Sequence, residues 1–145
     1  MKAVMQRVRR GRVSVGEETV AQIGSGYVIL LGIGPQDGEA QARALAEKIA
    51  YLRIFEDEAG KMNRSILEIG GEAIVVSQFT LYADTRKGRR PSFTGAAQPD
   101  IAQPIVERFA AHLAAFGVRT QTGVFGAHMR VEIDNDGPVT ILFDV

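Results

Sequence analysis

Ser77-Gln78-Phe79-Thr80 is the stretch best equipped for chemistry. It follows the apolar run Ala73-Ile74-Val75-Val76, so polar groups stand at the end of a buried strand, where a pocket floor can form. Gln78 can orient a ligand through its amide. Thr80 can donate a hydrogen bond or act as a nucleophile, and the backbone N–H groups around Phe79 and Thr80 could stabilise an oxyanion. In a regular strand Gln78 and Thr80 share one face, with Ser77 and Phe79 on the other. A plain strand end, its hydroxyls bonded to a neighbouring strand, accounts for the same residues equally well. Thr80 has no obvious histidine base, which weakens a covalent mechanism.

The second candidate is Asn135-Asp136-Gly137-Pro138-Val139-Thr140. Strand-like sequence flanks it, Met129 to Asp134 before and Val139 to Val145 after, so a hairpin or tight turn is the first expectation. Gly137 has no side chain to shield the backbone, and Gly137 and Pro138 can both offer carbonyl oxygens to a ligand. An inert turn is the commoner outcome for such a stretch, and the sequence leaves the isomer of the Gly137-Pro138 bond open. A third candidate is Arg86-Lys87-Gly88-Arg89-Arg90, with four cations in five positions. It suits contact with a nucleic-acid backbone, and it equally suits a solvated surface loop.

Other chemistries are excluded. The chain has no cysteine, which removes disulfides, thiolate metal sites and cysteine nucleophiles. His112 and His128 have no partners at metal-ligand spacing, and no metal or cofactor is expected. Gly24-Ser25-Gly26 is a turn rather than a phosphate loop, and Glu56-Asp57-Glu58 reads as a solvated helix end. Seventeen basic residues balance seventeen acidic ones, so nucleic-acid binding must come from local patches. Charges at Lys2, Arg7, Arg9, Arg10 and Arg12 break every early apolar run, arguing against a signal peptide. No apolar run approaches the roughly 18 residues of a membrane span. A cytoplasmic protein without membrane association is expected.

The elements that must position these candidates fit one domain over residues 1–145. Two short strands are expected over residues 2–15, with an irregularity near Gly11, then strands over Thr19 to Ile23 and Tyr27 to Ile33. The second of these is apolar throughout, as in a strand buried on both faces. Asp37 is a plausible N-cap for a helix from about Glu39 to Phe55, with Ala42, Leu45, Ala46, Ile49 and Leu52 or its neighbours on its buried face. Lys61 to Ser65 reads as a loop, and Ala73 to Tyr82 as the buried strand with its polar end. A second helix ends near Phe116-Gly117 and buries Ile105, Phe109, Leu113 and Phe116. Pro104 either starts it or sits beyond a loosened first turn near Pro99. Val118 to Thr122, Met129 to Asp134 and Val139 to Asp144 complete the strands. The fold class is α+β, a mixed or antiparallel β-sheet, barrel-like, with two main helices.

Taken in order, these segments resemble the D-aminoacyl-tRNA deacylase family, also known through D-tyrosyl-tRNA(Tyr) deacylase. The likeness runs through Met1 to Val8, Ser77-Gln78-Phe79-Thr80, Lys87 to Thr94, Gly123 to Met129 and Asn135 to Thr140. Gly11 and Pro104 depart from it outside these segments. The resemblance implies a homodimer with active sites at the subunit interface, hydrolysing D-aminoacyl-tRNA to D-amino acid and tRNA as chiral proofreading in translation. Glycine mischarged on tRNA(Ala) is an implied second substrate. It implies Thr80 and Phe79 as catalytic, the latter through the backbone, and Ser77, Gln78, Phe125, Met129, Gly137 and Pro138 as substrate-binding, with core packing an equal reading of Phe125 and Met129. Gly137 and Pro138 would form a Gly-cis-Pro element whose carbonyls hold the substrate amine and whose rigid backbone rejects L side chains. Arg86, Lys87, Arg89 and Arg90 would contact tRNA. The ribose 2′-OH beside the ester would help activate water. A non-catalytic RNA-binding module on the same fold is the alternative.

Overall fold

The computed structural model describes residues 1–145. Its frame is one long strand, β1 (Lys2–Val15), which pairs antiparallel with three others. On one side lie β2 (Glu18–Ile23) against its second half and β3 (Gly26–Gly32) against its first half. On the other side β8 (Arg130–Asp144) runs along nearly the whole of β1. Outside β3, β6 (Glu72–Ser77) and then β7 (Arg119–Thr122) add in parallel. The sheet is therefore mixed. Its order is β2-β1-β3-β6-β7, with β8 on β1.

The edges β2 and β7 are drawn together by one side chain. Gln121 accepts from the Gln22 N–H at 3.0 Å and donates to the Gln22 carbonyl at 2.7 Å. An amide side chain thus satisfies an edge backbone, and the sheet becomes a nearly closed barrel. Val8, Val13, Ala21, Ile23, Val28, Ile74 and Val76 pack together on its inner face.

Two helices cover the other face. Helix α1 (Glu39–Tyr51) buries Ala42, Leu45, Ala46, Ile49 and Ala50, and α2 (Pro99–Ala115) buries Ile105, Val106, Phe109, Ala110 and Leu113. Both pack on Ala3, Met5, Ile29 and Leu31, whose alternation along β1 and β3 places them on that side. Glu39 ties the helices together, accepting from Arg108 at 2.6 Å and meeting His112 Nε2 at 2.5 Å. Neither helix is long and apolar enough to cross a membrane.

Several expectations change. Residues 2–15 form one strand, because Gly11 stays paired with Ile23 and Ile133 on its two sides. Helix α1 stops at Tyr51 and is capped at Gly38, whose N–H donates to Gln41. Asp37 is not the cap; its carboxylate is occupied by the Gly34 N–H and the Met1 ammonium. Lys61 to Ser65 is not all loop: β5 (Met62–Arg64) pairs with β4 (Phe55–Glu56). Helix α2 starts at Pro99 and continues through Pro104, whose exposed position tolerates the missing N–H.

The largest change concerns Asn135 to Thr140. The chain does not reverse there, because both flanks belong to β8 and both pair with β1. Between the Gln6–Thr140 and Val8–Asn135 pairs, a single β1 residue, Arg7, faces four of β8, Asp136 to Val139. The expected hairpin is a wide bulge, which displaces Gly137 and Pro138 from the ladder while the strand continues.

Candidate active site

The apolar strand β6 ends at Ser77, and Gln78 (φ −145°, ψ 80°) turns the chain out of the sheet. Phe79–Tyr82 then forms a single 3-10 turn rather than the expected strand extension. Gln78 and Thr80 consequently do not alternate along a strand. The Gln78 side-chain amide instead donates to Thr80 Oγ1 at 2.5 Å. The turn's own bonds run from Leu81 N–H to the Gln78 carbonyl and from Ala83 N–H to the Thr80 carbonyl. The amides of Phe79 and Thr80 precede these and have no partner within the turn, as for the first amides of any helical segment.

Beside the turn lies a cavity of about 440 Å³. Ser77, Gln78 and Phe79 line one wall, Ala102 and Val106 of α2 another, and Phe125 to Met129 a third. Most of the lining is apolar, and the polar groups are few, the composition of a pocket that encloses a small apolar group and orients it by one or two hydrogen bonds. Met129 is held in place by the Val124 N–H, which donates to its Sδ at 3.3 Å. Phe79 is 57% exposed and meets the edge of Phe93 at 5.0 Å, so the basic loop packs directly on the turn. Thr80 is exposed and lies outside the cavity wall.

Five of the candidate residues therefore converge on one cavity: Ser77, Gln78, Phe79, Phe125 and Met129. His128, set aside from sequence as a structural histidine, also lines it. Its position next to Met129 was the available signal. Gly137 and Pro138 lie outside that wall and are exposed. Their peptide bond is cis.

The bulge carrying them has a polar support that the sequence did not suggest. Arg7 is only 4% exposed, although it stands in a run of basic residues that reads as surface. Its Nε donates to the Asp136 carbonyl at 3.2 Å and lies 3.3 Å from Asp136 Oδ2, while Nη1 donates to the Ile54 carbonyl at 2.6 Å. Asn135 closes the base of the bulge. Its Nδ2 donates to the carbonyls of Arg7 and Val139, each at 3.0 Å. Below Arg7, Tyr27 stacks on Phe55 and is fully buried; burial pushes its hydroxyl pKa up, against the pull of the Arg7 charge.

In the basic loop, Arg86 is already engaged. It forms a two-pronged pair with Asp84, at 2.9 and 2.7 Å, which holds the Asp84 carboxyl below its usual range. Asp84 and Ser92 close the loop with reciprocal backbone bonds. Lys87, Arg89 and Arg90 are exposed and make no ion pair, so three of the four candidate cations remain available to an outside anion.

Comparisons with known proteins agree with one another. A family model described as D-Tyr-tRNA(Tyr) deacylase matches residues 4–144. A D-aminoacyl-tRNA deacylase of Roseiflexus sp. (strain RS-1) is 65% identical over 144 residues, covering 99% of this chain and 93% of that protein. Another, of Heliobacterium modesticaldum, is 62% identical and covers 99% and 96%. Among solved structures, the c-Myc DNA Unwinding Element Binding Protein superposes with a TM-score of 0.93 at 41% identity, covering 100% of this chain and 99% of that one. A probable eukaryotic D-amino acid tRNA deacylase has the same fold, with a TM-score of 0.87 at 18% identity and coverage of 99% and 98%. Matched over almost its whole length at such identity, the chain belongs to the D-Tyr-tRNA(Tyr) deacylase family.

Proposed function

We propose that this protein hydrolyses the ester that joins a D-amino acid to the 3′ end of tRNA, and that it works as a homodimer whose two halves complete each site. Family membership makes it an aminoacyl-ester hydrolase. The observation that carries the reading is the cavity wall of Ser77, Gln78 and Phe79, opposite Phe125 and Met129, in the turn whose Phe79 and Thr80 amides are unclaimed.

The chemistry follows from those groups. Water adds to the ester carbonyl carbon, and negative charge develops on the carbonyl oxygen. The Phe79 and Thr80 N–H groups donate to that oxygen, a contact that strengthens as the charge grows. Collapse of the intermediate breaks the bond to the ribose oxygen, which leaves with a proton as the free tRNA terminus. The other product is the D-amino acid. The wall offers no carboxylate, and His128 is its one titratable side chain, so little acid–base equipment faces the cavity. The neighbouring ribose 2′-OH fills that role, assisting the attacking water. Thr80 helps to position through its bond from Gln78. Three unpaired cations, Lys87, Arg89 and Arg90, supply tRNA-backbone contacts.

Selection between hands is assigned to Gly137 and Pro138 of the partner subunit. Their carbonyls hold the substrate α-amino group, and an L side chain collides with that backbone, while a D side chain points away. Glycine has no side chain to collide, which makes glycyl-tRNA(Ala) a second substrate. Support comes from where the bulge lies: it is exposed, braced from below by Arg7 and Asn135, and outside the cavity of its own chain.

A surface suited to the second copy is present on the sheet. Leu142, Val4 and Leu30 stand directly opposite one another across β8, β1 and β3, and Val76 of β6 extends the row. Leu142 is 74% exposed, and Val4 and Leu30 are half-buried. Lys2 with Asp144 borders the row on one side, and Gln6 bonded to Thr140 on the other. An apolar centre between polar margins is the anatomy of a protein interface.

The test is loss of ester from matched D-tyrosyl-, L-tyrosyl- and glycyl-tRNA. The D-tyrosyl and glycyl esters are expected to be cleaved and the L-tyrosyl ester spared. Background decay of all three, with tRNA still bound, would instead select a non-catalytic RNA-binding module, which the free cations of the basic loop also suit.

A further inference from the structure

The 3-10 turn Phe79–Tyr82 contains no buried residue. Core packing therefore does not fix its position, and the contacts that do must be specific. At its start a single backbone bond ties it to the sheet, from Gln78 N–H to the Leu31 carbonyl at 2.8 Å. At its end the Tyr82 hydroxyl donates to Asp37 Oδ2 at 3.3 Å. Asp37 is itself fixed. The same Oδ2 accepts the Gly34 N–H at 2.6 Å, and Oδ1 accepts the Met1 ammonium at 2.8 Å. Its side chain is only 10% exposed.

The turn also sits close on two glycines beneath it. A Cβ on Gly32 would stand 2.9 Å from the Gln78 carbonyl oxygen, and one on Gly34 would stand 2.8 Å from the Tyr82 hydroxyl. The fit leaves little slack, and the hydroxyl–carboxylate bond holds the far end of the turn in that seat. Burial and the Asp37 charge push the Tyr82 pKa up to about 12, so its proton stays available to Asp37 throughout the neutral range.

We infer that Asp37 and Tyr82 are positioning residues for deacylation: their bond holds the turn so that the Phe79 and Thr80 amides meet the developing oxyanion. The inference rests on the deacylase reading above. Neither side chain lines the cavity, so neither is a catalytic residue. An oxyanion contact is sensitive to displacements of a fraction of an ångström, whereas ground-state binding of a long tRNA is not.

Tyr82→Phe keeps the ring, its packing and the Lys2 cation over it, and removes only the hydroxyl. It is expected to lower kcat on D-tyrosyl-tRNA roughly tenfold, with KM within about twofold. Tm should move by no more than about 3 °C. Asp37→Asn keeps an oxygen for Gly34 and Tyr82 but sets an amide NH2 against the Met1 ammonium, so it should recover only part of the turnover that Asp37→Ala loses. Amide exchange at Ala83, whose N–H donates to the Thr80 carbonyl, should quicken in Tyr82→Phe when followed by NMR. An unchanged kcat, or a kcat loss accompanied by unfolding at the assay temperature, overturns the inference. Background decay by the unaltered protein is a different result: it removes the deacylase reading itself.

Discussion

Thr80 receives the Gln78 amide on its hydroxyl and stands outside the cavity wall. A hydroxyl so placed, with no base beside it, contributes little as a nucleophile. Thr80→Ala is therefore expected to keep kcat within about tenfold of the parent, since the backbone amide stays where it is. Complete loss of turnover with tRNA binding retained would assign the chemistry to the side chain. The cations separate in the same way. Replacing Lys87, Arg89 or Arg90 by Ala should weaken tRNA binding and reduce the slope of log K against log salt by about 0.7–0.9 each. Arg86→Ala should leave that slope nearly unchanged, because Arg86 is spent on Asp84. Titrations across a salt series distinguish the two. Ser77, Gln78 and Phe79 were legible as one wall of a candidate pocket because polar residues follow a buried strand. Arg7 was not, because a buried arginine inside an alternating basic strand looks like its exposed neighbours Arg9 and Arg10 until its partners Ile54 and Asp136 are placed.

At the scale of elements, periodicity revealed most strands and both helix faces. It could not separate a hairpin from a bulge at Asp136 to Val139. Both need alternating sequence on each flank, and the difference lies in the partner. Only a strand as long as β1, 14 residues, can pair with both flanks and keep the chain running forward. The turn after Ser77 was hidden for a similar reason: Phe79 to Tyr82 has the composition of a strand, yet it forms a 3-10 turn seated closely on Gly32. The parallel pairing of β3 with β6 brings an even closer approach. Gly26 has φ +156°, and a Cβ there would lie 1.8 Å from the Glu72 carbonyl oxygen. Gly26→Ala is expected to cost about 2–4 kcal/mol of stability in urea unfolding. A loss below the error of that measurement would mean that the β3–β6 junction can shift to make room.

For the whole molecule, the proposed homodimer would set the exposed bulge of one chain at the cavity of the other and cover the apolar row across β8, β1 and β3. Leu142→Arg places a charge in the centre of the row. It should give a monomer by light scattering, and deacylation should fall with the dimer. A monomer with full, D-selective activity would show that the site is complete in one chain. The barrel-like mixed sheet with two helices was readable from the sequence, whereas its closure by Gln121 was not, since nothing in the chain marks that side chain as the bridge between two edges. Hydrolysis by this protein is expected to depend on the hand of the amino acid. The most direct measurement is single-turnover ester loss from D-tyrosyl-tRNA and L-tyrosyl-tRNA, with the protein in excess over both. Rapid cleavage of the D ester is expected, with a rate for the L ester indistinguishable from buffer; equal rates for the two would contradict selection by hand.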